Sequence, residues 1–160
     1  MQVNRDRFLE EGYLIVRGAI PPDQLESVRV AYERMVERQK TIWAQERGPE
    51  DPPGGVWELS AQPRLNISGM IDHLDAETIK TVETWLFENI HGVSSALLNE
   101  PDAGVTEMML MCSPVHDHGR GGHRGWHRDL YPPYCAPLRG YLDDILENGP
   151  SYVQWNIPLY

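Results

Sequence analysis

The sequence predicts one α+β domain over residues 1–160, in which helices come first and the strands of an antiparallel sheet follow. Apolar residues recur at helical spacing after Pro21-Pro22-Asp23, whereas the second half of the chain carries short runs of apolar, β-branched and aromatic residues. A chain of 160 residues, 41% of them hydrophobic, is long enough to bury one core and too short for two ordinary domains.

The first part of the chain predicts two helices with a strand between them. Asn4–Gly12 is predicted as a short helix that ends at its glycine. Tyr13–Gly18 is rich in β-branched and aromatic residues and is predicted as a strand. Pro21-Pro22-Asp23 begins a long helix, since proline is favoured in the first helical turn. Its apolar positions are Leu25, Val28, Ala31, Tyr32, Met35, Val36 and Ile42.

The middle of the chain predicts a loop, short strands and a further long helix. Gly48–Gly55 is predicted as a loop, because proline removes backbone donors and glycine permits positive φ. Asp75 can cap a helix that runs to about Leu98. The predicted strands are Trp57–Leu59, Arg64–Ile67 and Val105–Cys112, although a Met-rich run such as the last is also compatible with a buried helix.

The last part of the chain predicts an irregular loop and a final strand. Ser113–Arg124 is polar and rich in glycine and histidine, and we expect it to lead into a strand around His127. Asn148-Gly149-Pro150 predicts a turn. Tyr152–Leu159 alternates in polarity and is predicted as a strand.

Charge and composition argue against nucleic-acid-binding, membrane and disulfide-rich proteins. The net charge is −10, so a nucleic-acid backbone or an anionic membrane surface would be repelled, and we expect neither as a partner. No apolar run approaches membrane-spanning length, and the N-terminus lacks the apolar core of a signal peptide. Cys112 and Cys135 have no CxxC spacing, which argues against a disulfide framework or a zinc knuckle. We therefore expect a soluble, cytoplasmic protein.

The most informative motif is Gly125-Trp126-His127-Arg128-Asp129. On a strand, side chains two residues apart project to the same side, so the imidazole of His127 and the carboxylate of Asp129 would lie next to each other. One nitrogen and one oxygen ligand make up two thirds of the 2-His-1-carboxylate triad that holds non-haem Fe(II). The sequence therefore predicts His127 and Asp129 as metal ligands.

A cluster of histidines leaves two alternatives open. Four of the six histidines lie within residues 116–127, and imidazole binds zinc, iron, copper and nickel alike. A zinc-dependent hydrolase using His116, His118, His123 and His127 is therefore one alternative. A non-catalytic binding module, in which the His-x-Asp step is incidental, is the other.

Several segments together are similar to one enzyme family. They are the opening Phe8–Val16, the helix at Pro21–Leu25, the run Met108–Cys112 and the motif Gly125–Asp129. In this order they resemble the phytanoyl-CoA dioxygenase family of Fe(II)- and 2-oxoglutarate-dependent oxygenases. The resemblance implies N-terminal helices packed on a double-stranded β-helix of the jelly-roll or cupin type. It also implies an enzyme that uses Fe(II), 2-oxoglutarate and O2 to hydroxylate a small-molecule substrate.

The resemblance assigns roles to particular residues. It implies that His127 and Asp129 are iron ligands and that Met109 lies beside the co-substrate. It implies that Trp155 lines the same pocket, and that Arg64 and Asn66 lie on an early strand that offers polar contacts to 2-oxoglutarate. Without the resemblance, Met109 and Trp155 would be interpreted as ordinary core residues.

Two departures from the family pattern shape a further expectation. The family carries a second ligand histidine and an arginine for 2-oxoglutarate well downstream of the motif, and neither has a counterpart in the sequence up to Tyr160. We therefore expect residues 1–160 to be the N-terminal portion of an oxygenase domain, inactive alone. Completion of the domain by strands of a partner chain is the alternative. The stretch after the motif is also longer than usual, and its segment Tyr141–Leu146 is expected to form a lid or short helix. The sequence leaves homo-oligomer formation open.

Overall fold

The computed structural model describes residues 3–51, 64–67, 74–111 and 138–160. These residues form two compact units. The first unit contains residues 3–22, 85–104 and 138–160, and the second contains residues 23–51, 64–67, 74–84 and 105–111. That residues 1–160 are a single domain stays a prediction.

Helix α1 (Arg5–Glu11) is the first element of the first unit and is capped at both ends. At its start, the side-chain oxygen of Asn4 accepts a hydrogen bond from the backbone N–H of Arg7 at 2.9 Å. At its end, Gly12 adopts a left-handed conformation with φ 77°, and its N–H donates to the carbonyl of Phe8 at 2.8 Å. The predicted short helix with a glycine stop is confirmed.

The predicted strand at Tyr13–Gly18 is wrong, since these residues are irregular and then turn. Their exposure still alternates: Tyr13 is 58% and Ile15 72% exposed, while Leu14 and Val16 are partly buried. Alternate side chains of this apolar segment therefore face solvent and the protein. A strand also needs a hydrogen-bonded neighbour, and none is assigned to this segment within the described residues.

Helix α4 (Glu88–Leu98) supplies most of the core of the first unit. Its buried residues follow helical spacing on one face. They are Ile90, Val93 and Leu97, and Ile20 from the N-terminal segment is buried as well. Asn99, with φ 55°, ends the helix in the left-handed conformation, and its N–H donates to the carbonyl of Ser95.

Hydrogen bonds connect four other segments of the first unit to α4. Arg5 Nε donates to the carbonyl of Leu97 at 3.0 Å, and Asn89 Nδ2 donates to that of Gly18 at 2.7 Å. His91 Nε2 lies 3.1 Å from the carbonyl oxygen of Ala103. The fourth bond joins Trp155 to Ser94. The polar groups of α4 thus fix the chain around its buried face.

Helix α5 (Leu138–Asn148) includes Tyr141–Leu146, so of the lid or short helix expected there the helix is confirmed. It ends at Gly149, where φ is 89° and the N–H donates to the carbonyl of Ile145 at 2.8 Å. The strand predicted for Tyr152–Leu159 is wrong, because no strand is assigned there. The predicted alternation remains: Val153, Trp155, Ile157 and Leu159 are partly buried and the residues between them are exposed.

Helix α2 (Pro22–Glu46) is the main element of the second unit and confirms the predicted long helix. It begins at a proline, whose missing N–H would have no partner in the first turn. Val28, Ala31 and Met35 are buried, and they recur at intervals of three and four residues. The exposed side carries the charged residues Glu26, Glu33, Arg34 and Glu37.

The predicted continuous helix from Asp75 to Leu98 is interrupted. After a turn, helix α3 covers Lys80–Glu83, a 3₁₀ turn covers Thr84–Leu86, and Phe87 has ψ 138°, which separates α3 from α4. The backbone N–H of Thr81 donates to the carbonyl of Thr78 at 3.0 Å, the i→i−3 pattern of a tighter turn.

Threonine hydroxyls explain this tightening. Thr78, Thr81 and Thr84 are all buried. Their hydroxyls bond back to the Asp75 carboxylate at 2.7 Å, to the Thr78 carbonyl at 2.7 Å and to the Lys80 carbonyl at 3.1 Å, respectively. Such side-chain bonds compete with regular helical ones, so the segment stays short and tight although its apolar spacing is helical.

Two short strands pair in the second unit. Strands β1 (Arg64–Asn66) and β2 (Met109–Met111) are antiparallel, with Asn66 opposite Met109. The N–H of Ile67 continues the ladder by donating to the carbonyl of Met108 at 2.9 Å. The predicted strand Arg64–Ile67 is thus confirmed for Arg64–Asn66, and the predicted strand Val105–Cys112 is confirmed for Met109–Met111 and is wrong for residues 105–108.

The described residues contain helices and one antiparallel pair of short strands, and the predicted double-stranded β-helix stays a prediction. The predicted strand Trp57–Leu59, the loop Ser113–Arg124 and the strand around His127 lie outside the described residues. Across the described ranges, no helix is long and apolar enough to cross a lipid bilayer.

Two glycines in the first unit allow a controlled stability test. Gly12 and Gly149 both have positive φ, but a Cβ at Gly12 would meet nothing, whereas one at Gly149 would overlap Nη2 of Arg5. We expect Gly12→Ala to lower the free energy of unfolding by about 1–2 kcal/mol. Gly149→Ala should cost about 1–2 kcal/mol more, because displacing Arg5 also removes its bond to Leu97. Urea denaturation measures both.

The Arg5→Ala background supplies the control for this comparison. Without the guanidinium, Gly149→Ala should cost no more than Gly12→Ala, because only the backbone strain remains. An equal excess for Gly149→Ala in both backgrounds would show that Arg5 is not its cause.

Asp75 makes the stability of the second unit dependent on pH. The hydroxyl of Thr78 lowers the pKa of the Asp75 carboxyl below its ordinary value of 3.8, and the Thr78 N–H and the charge of Arg38 add to this. A carboxyl with a lowered folded pKa stabilises the fold above its unfolded pKa and loses that contribution as pH falls through the folded pKa. Asp75→Asn keeps an acceptor for the Thr78 N–H but does not titrate.

We therefore expect wild type to exceed Asp75→Asn in stability at pH 7, with the difference shrinking as pH falls below 3.8. Denaturation midpoints measured between pH 7 and about pH 2.5 test this. A difference that stays constant over this range would mean that the pKa of Asp75 is the same in both states.

Candidate functional site

The predicted metal ligands lie outside the residues that the structure describes. His127 and Asp129 are outside the described residues, as are His116, His118 and His123 of the alternative zinc site. Among residues 3–51, 64–67, 74–111 and 138–160, no group of three or more His, Cys, Asp and Glu side chains is placed to hold a metal ion. The metal-site assignment therefore stays a prediction.

Two predicted co-substrate residues are direct neighbours in the second unit. Asn66 on β1 lies opposite Met109 on β2, and side chains of such a pair project from the same face of the sheet. Since the adjacent pair Ile67 and Met108 is hydrogen-bonded, the Asn66–Met109 pair is of the closer, non-hydrogen-bonded type.

Burial distinguishes the two faces of this strand pair. On one face, Ile67 and Met108 are 0% and 5% exposed and belong to the core. On the other face, Asn66 is exposed and Met109 is partly buried. The face that carries Asn66 and Met109 is thus the accessible one, and it combines an amide with a thioether. The backbone of Arg64 pairs with that of Met111, two positions further along the ladder.

Trp155, the predicted pocket residue in the first unit, is held by one side chain. Its indole Nε1 donates to the hydroxyl oxygen of Ser94 at 2.8 Å, and that hydroxyl donates to the carbonyl of Ile90 at 2.8 Å. By contrast, the indole Nε1 of Trp85, in the same unit, is buried without a hydrogen-bond partner among the described residues. Sequence reasoning missed Ser94, because nothing in a helical serine indicates a tryptophan 61 residues away.

Residues 8–150 match the sequence model of the phytanoyl-CoA dioxygenase family. The chain belongs to this family. The predicted membership is confirmed, and the match encloses the His127–Asp129 motif and the Asn66–Met109 pair. Searches of curated proteins and of solved structures gave no significant match.

Family membership supports a general enzyme class. Phytanoyl-CoA dioxygenase family proteins are typically dioxygenases, so the chain is assigned to an oxidoreductase family with a jelly-roll fold. Among the described residues, the antiparallel pair β1–β2 is compatible with a jelly roll. A shared fold and family leave the substrate open, because substrates are selected by individual pocket residues.

The register of β1 and β2 can be tested by cross-linking. With Cys112 and Cys135 replaced by serine, we expect Asn66→Cys and Met109→Cys together to form a disulfide on oxidation. The Cα atoms of a non-hydrogen-bonded pair lie about 4.5 Å apart, within the range that disulfides span. Mass spectrometry of the intact protein with and without reductant measures the bond.

The control pair is Asn66→Cys with Leu110→Cys. It shifts the partner by one residue and places the two thiols on opposite faces of the ladder, so it should stay reduced. Oxidation of the shifted pair in preference to Asn66→Cys with Met109→Cys would show that the register is different.

Proposed function

We propose that this protein is an Fe(II)- and 2-oxoglutarate-dependent dioxygenase that hydroxylates a small-molecule substrate. The observation that carries the proposal is the family match over residues 8–150, which encloses a His-x-Asp motif at positions 127–129. We also propose that β1 and β2 belong to a double-stranded β-helix, since antiparallel pairing is what such a fold requires.

The donor atoms of the motif suit the proposed metal. His127 offers an imidazole nitrogen and Asp129 a carboxylate oxygen, the combination that non-haem Fe(II) oxygenases use. Ferrous iron with 2-oxoglutarate and O2 supplies the oxidising power to hydroxylate an unactivated C–H bond. The task of His127 and Asp129 would be to hold the metal while leaving other coordination positions open.

The remaining predicted residues suit a dicarboxylate co-substrate. The Asn66 amide can donate hydrogen bonds to a carboxylate, and Arg64 can form a bidentate, charge-assisted pair with one. Met109, directly opposite Asn66, would supply an adaptable apolar contact next to the Asn66 amide. Trp155 would offer its aromatic ring, because its N–H is already bonded to Ser94.

An anaerobic titration of the full-length protein with Fe(II) and 2-oxoglutarate tests this function. We expect a metal-to-ligand charge-transfer absorption band in wild type and its loss in His127→Ala and in Asp129→Ala, because each change removes a proposed ligand. The matched control is His123→Ala, a histidine four residues away that the oxygenase does not need and that should leave the band intact.

The other outcomes identify the alternatives. Tight zinc binding that is lost in His123→Ala and is independent of 2-oxoglutarate would replace the oxygenase with a zinc hydrolase. Unchanged metal content in Asp129→Ala would identify a non-catalytic module.

A further inference from the structure

Ser94 on helix α4 holds the side chain of Trp155 through a hydrogen bond. The two residues are 61 positions apart, both belong to the first unit, and their hydrogen bond of 2.8 Å is partly buried. Ser94 lies on α4 beside the buried residue Val93, so its backbone position is fixed by the core. Trp155 lies on the irregular segment after α5, where burial alternates with each residue.

The chemistry of a serine hydroxyl explains why this residue type suits the position. The Ser94 hydroxyl donates its hydrogen to the carbonyl of Ile90, one turn earlier in α4, which orients the oxygen. The oxygen lone pairs then point away from that bond and accept the indole N–H of Trp155. Alanine would remove both bonds and leave a partly buried indole N–H without this acceptor.

We propose that Ser94 is a positioning residue that fixes the indole of Trp155 and thereby the orientation of the ring that this residue offers to 2-oxoglutarate. The consequence for binding rests on the proposed function, in which the ring of Trp155 contacts 2-oxoglutarate. Because the indole N–H is committed to Ser94, Trp155 presents its ring to a ligand and donates no hydrogen bond to it. Helix α4 sets the ring orientation before 2-oxoglutarate arrives, so binding does not have to order it.

Tryptophan fluorescence tests the contact in the absence of any ligand. For wild type and for each Ser94 or Ser95 variant, the emission spectrum of the same protein carrying Trp155→Phe is subtracted, and the difference is the emission of Trp155. We expect Ser94→Ala to shift and broaden this contribution, because the indole loses its fixed partner. Ser94→Thr keeps a hydroxyl and should restore the wild-type emission. Ser95→Ala is the control, since the Ser95 hydroxyl contacts the carbonyl of Pro101 instead.

Binding of 2-oxoglutarate, measured anaerobically with Fe(II), tests the positioning role. We expect Ser94→Ala to raise the dissociation constant by up to about fivefold, because the indole that has lost one net hydrogen bond must then be ordered on binding. Ser94→Thr should reverse this change and Ser95→Ala should not cause it. Trp155→Phe, which keeps an aromatic ring but lacks the N–H, should weaken binding as well. Adding Ser94→Ala to it should have little further effect, because both changes remove the same bond.

The outcomes separate this inference from the proposed function. If wild type binds no 2-oxoglutarate, the proposed function fails, while the ligand-free emission still decides whether Ser94 fixes Trp155. If 2-oxoglutarate binds but Ser94→Ala changes neither emission nor affinity, the positioning role is overturned. Equal effects of Ser94→Ala and Ser95→Ala would also overturn it. Should Ser94→Ala fail to fold, Trp155→Phe removes the donor of the same hydrogen bond, and its dissociation constant for 2-oxoglutarate then tests the positioning role.

Discussion

The first unit depends on helix α4, which has two functions at once. Its apolar face forms the buried interior, and its polar groups hold the segments around it. Arg5, Gly18, Ala103 and Trp155 come from four different stretches of the chain, and each is hydrogen-bonded to a residue of this one helix. An eleven-residue helix can do this because residues three and four apart share a face, which leaves the remaining positions for side contacts.

Helices were predicted well from the sequence because their signals are local. Asn4 and Gly12 delimit α1, and Pro22 begins α2, all through interactions within a few residues. Strands depend on partners elsewhere in the chain. The alternating polarity around Trp155 correctly indicated which side chains are more buried, yet it contained no information on hydrogen-bonded neighbours. The break between α3 and α4 was missed because helical spacing does not reveal hydroxyls that bond back to the chain.

In the candidate site, too, local sequence signals were predictable and contacts between distant residues were not. Residue type and a spacing of two drew attention to His127 and Asp129, and the family match agrees with the class of protein that they suggested. That Asn66 lies opposite Met109 could not be read from the sequence, because strand register depends on the whole intervening chain. The role of Ser94 was equally hidden, since a hydroxyl on a helix is usually a surface feature.

Strands β1 and β2 are separated by residues 67–108, and this separation affects how the protein assembles. Bringing distant segments together carries a loop-closure entropy that local helices do not pay, so we expect α1, α2 and α4 to form before the strands meet. The arrangement of Asn66 beside Met109 then exists only near the end of folding. A substitution anywhere between the strands that weakens this last step would reduce the fraction of molecules in which the two strands are paired, without altering Asn66 or Met109.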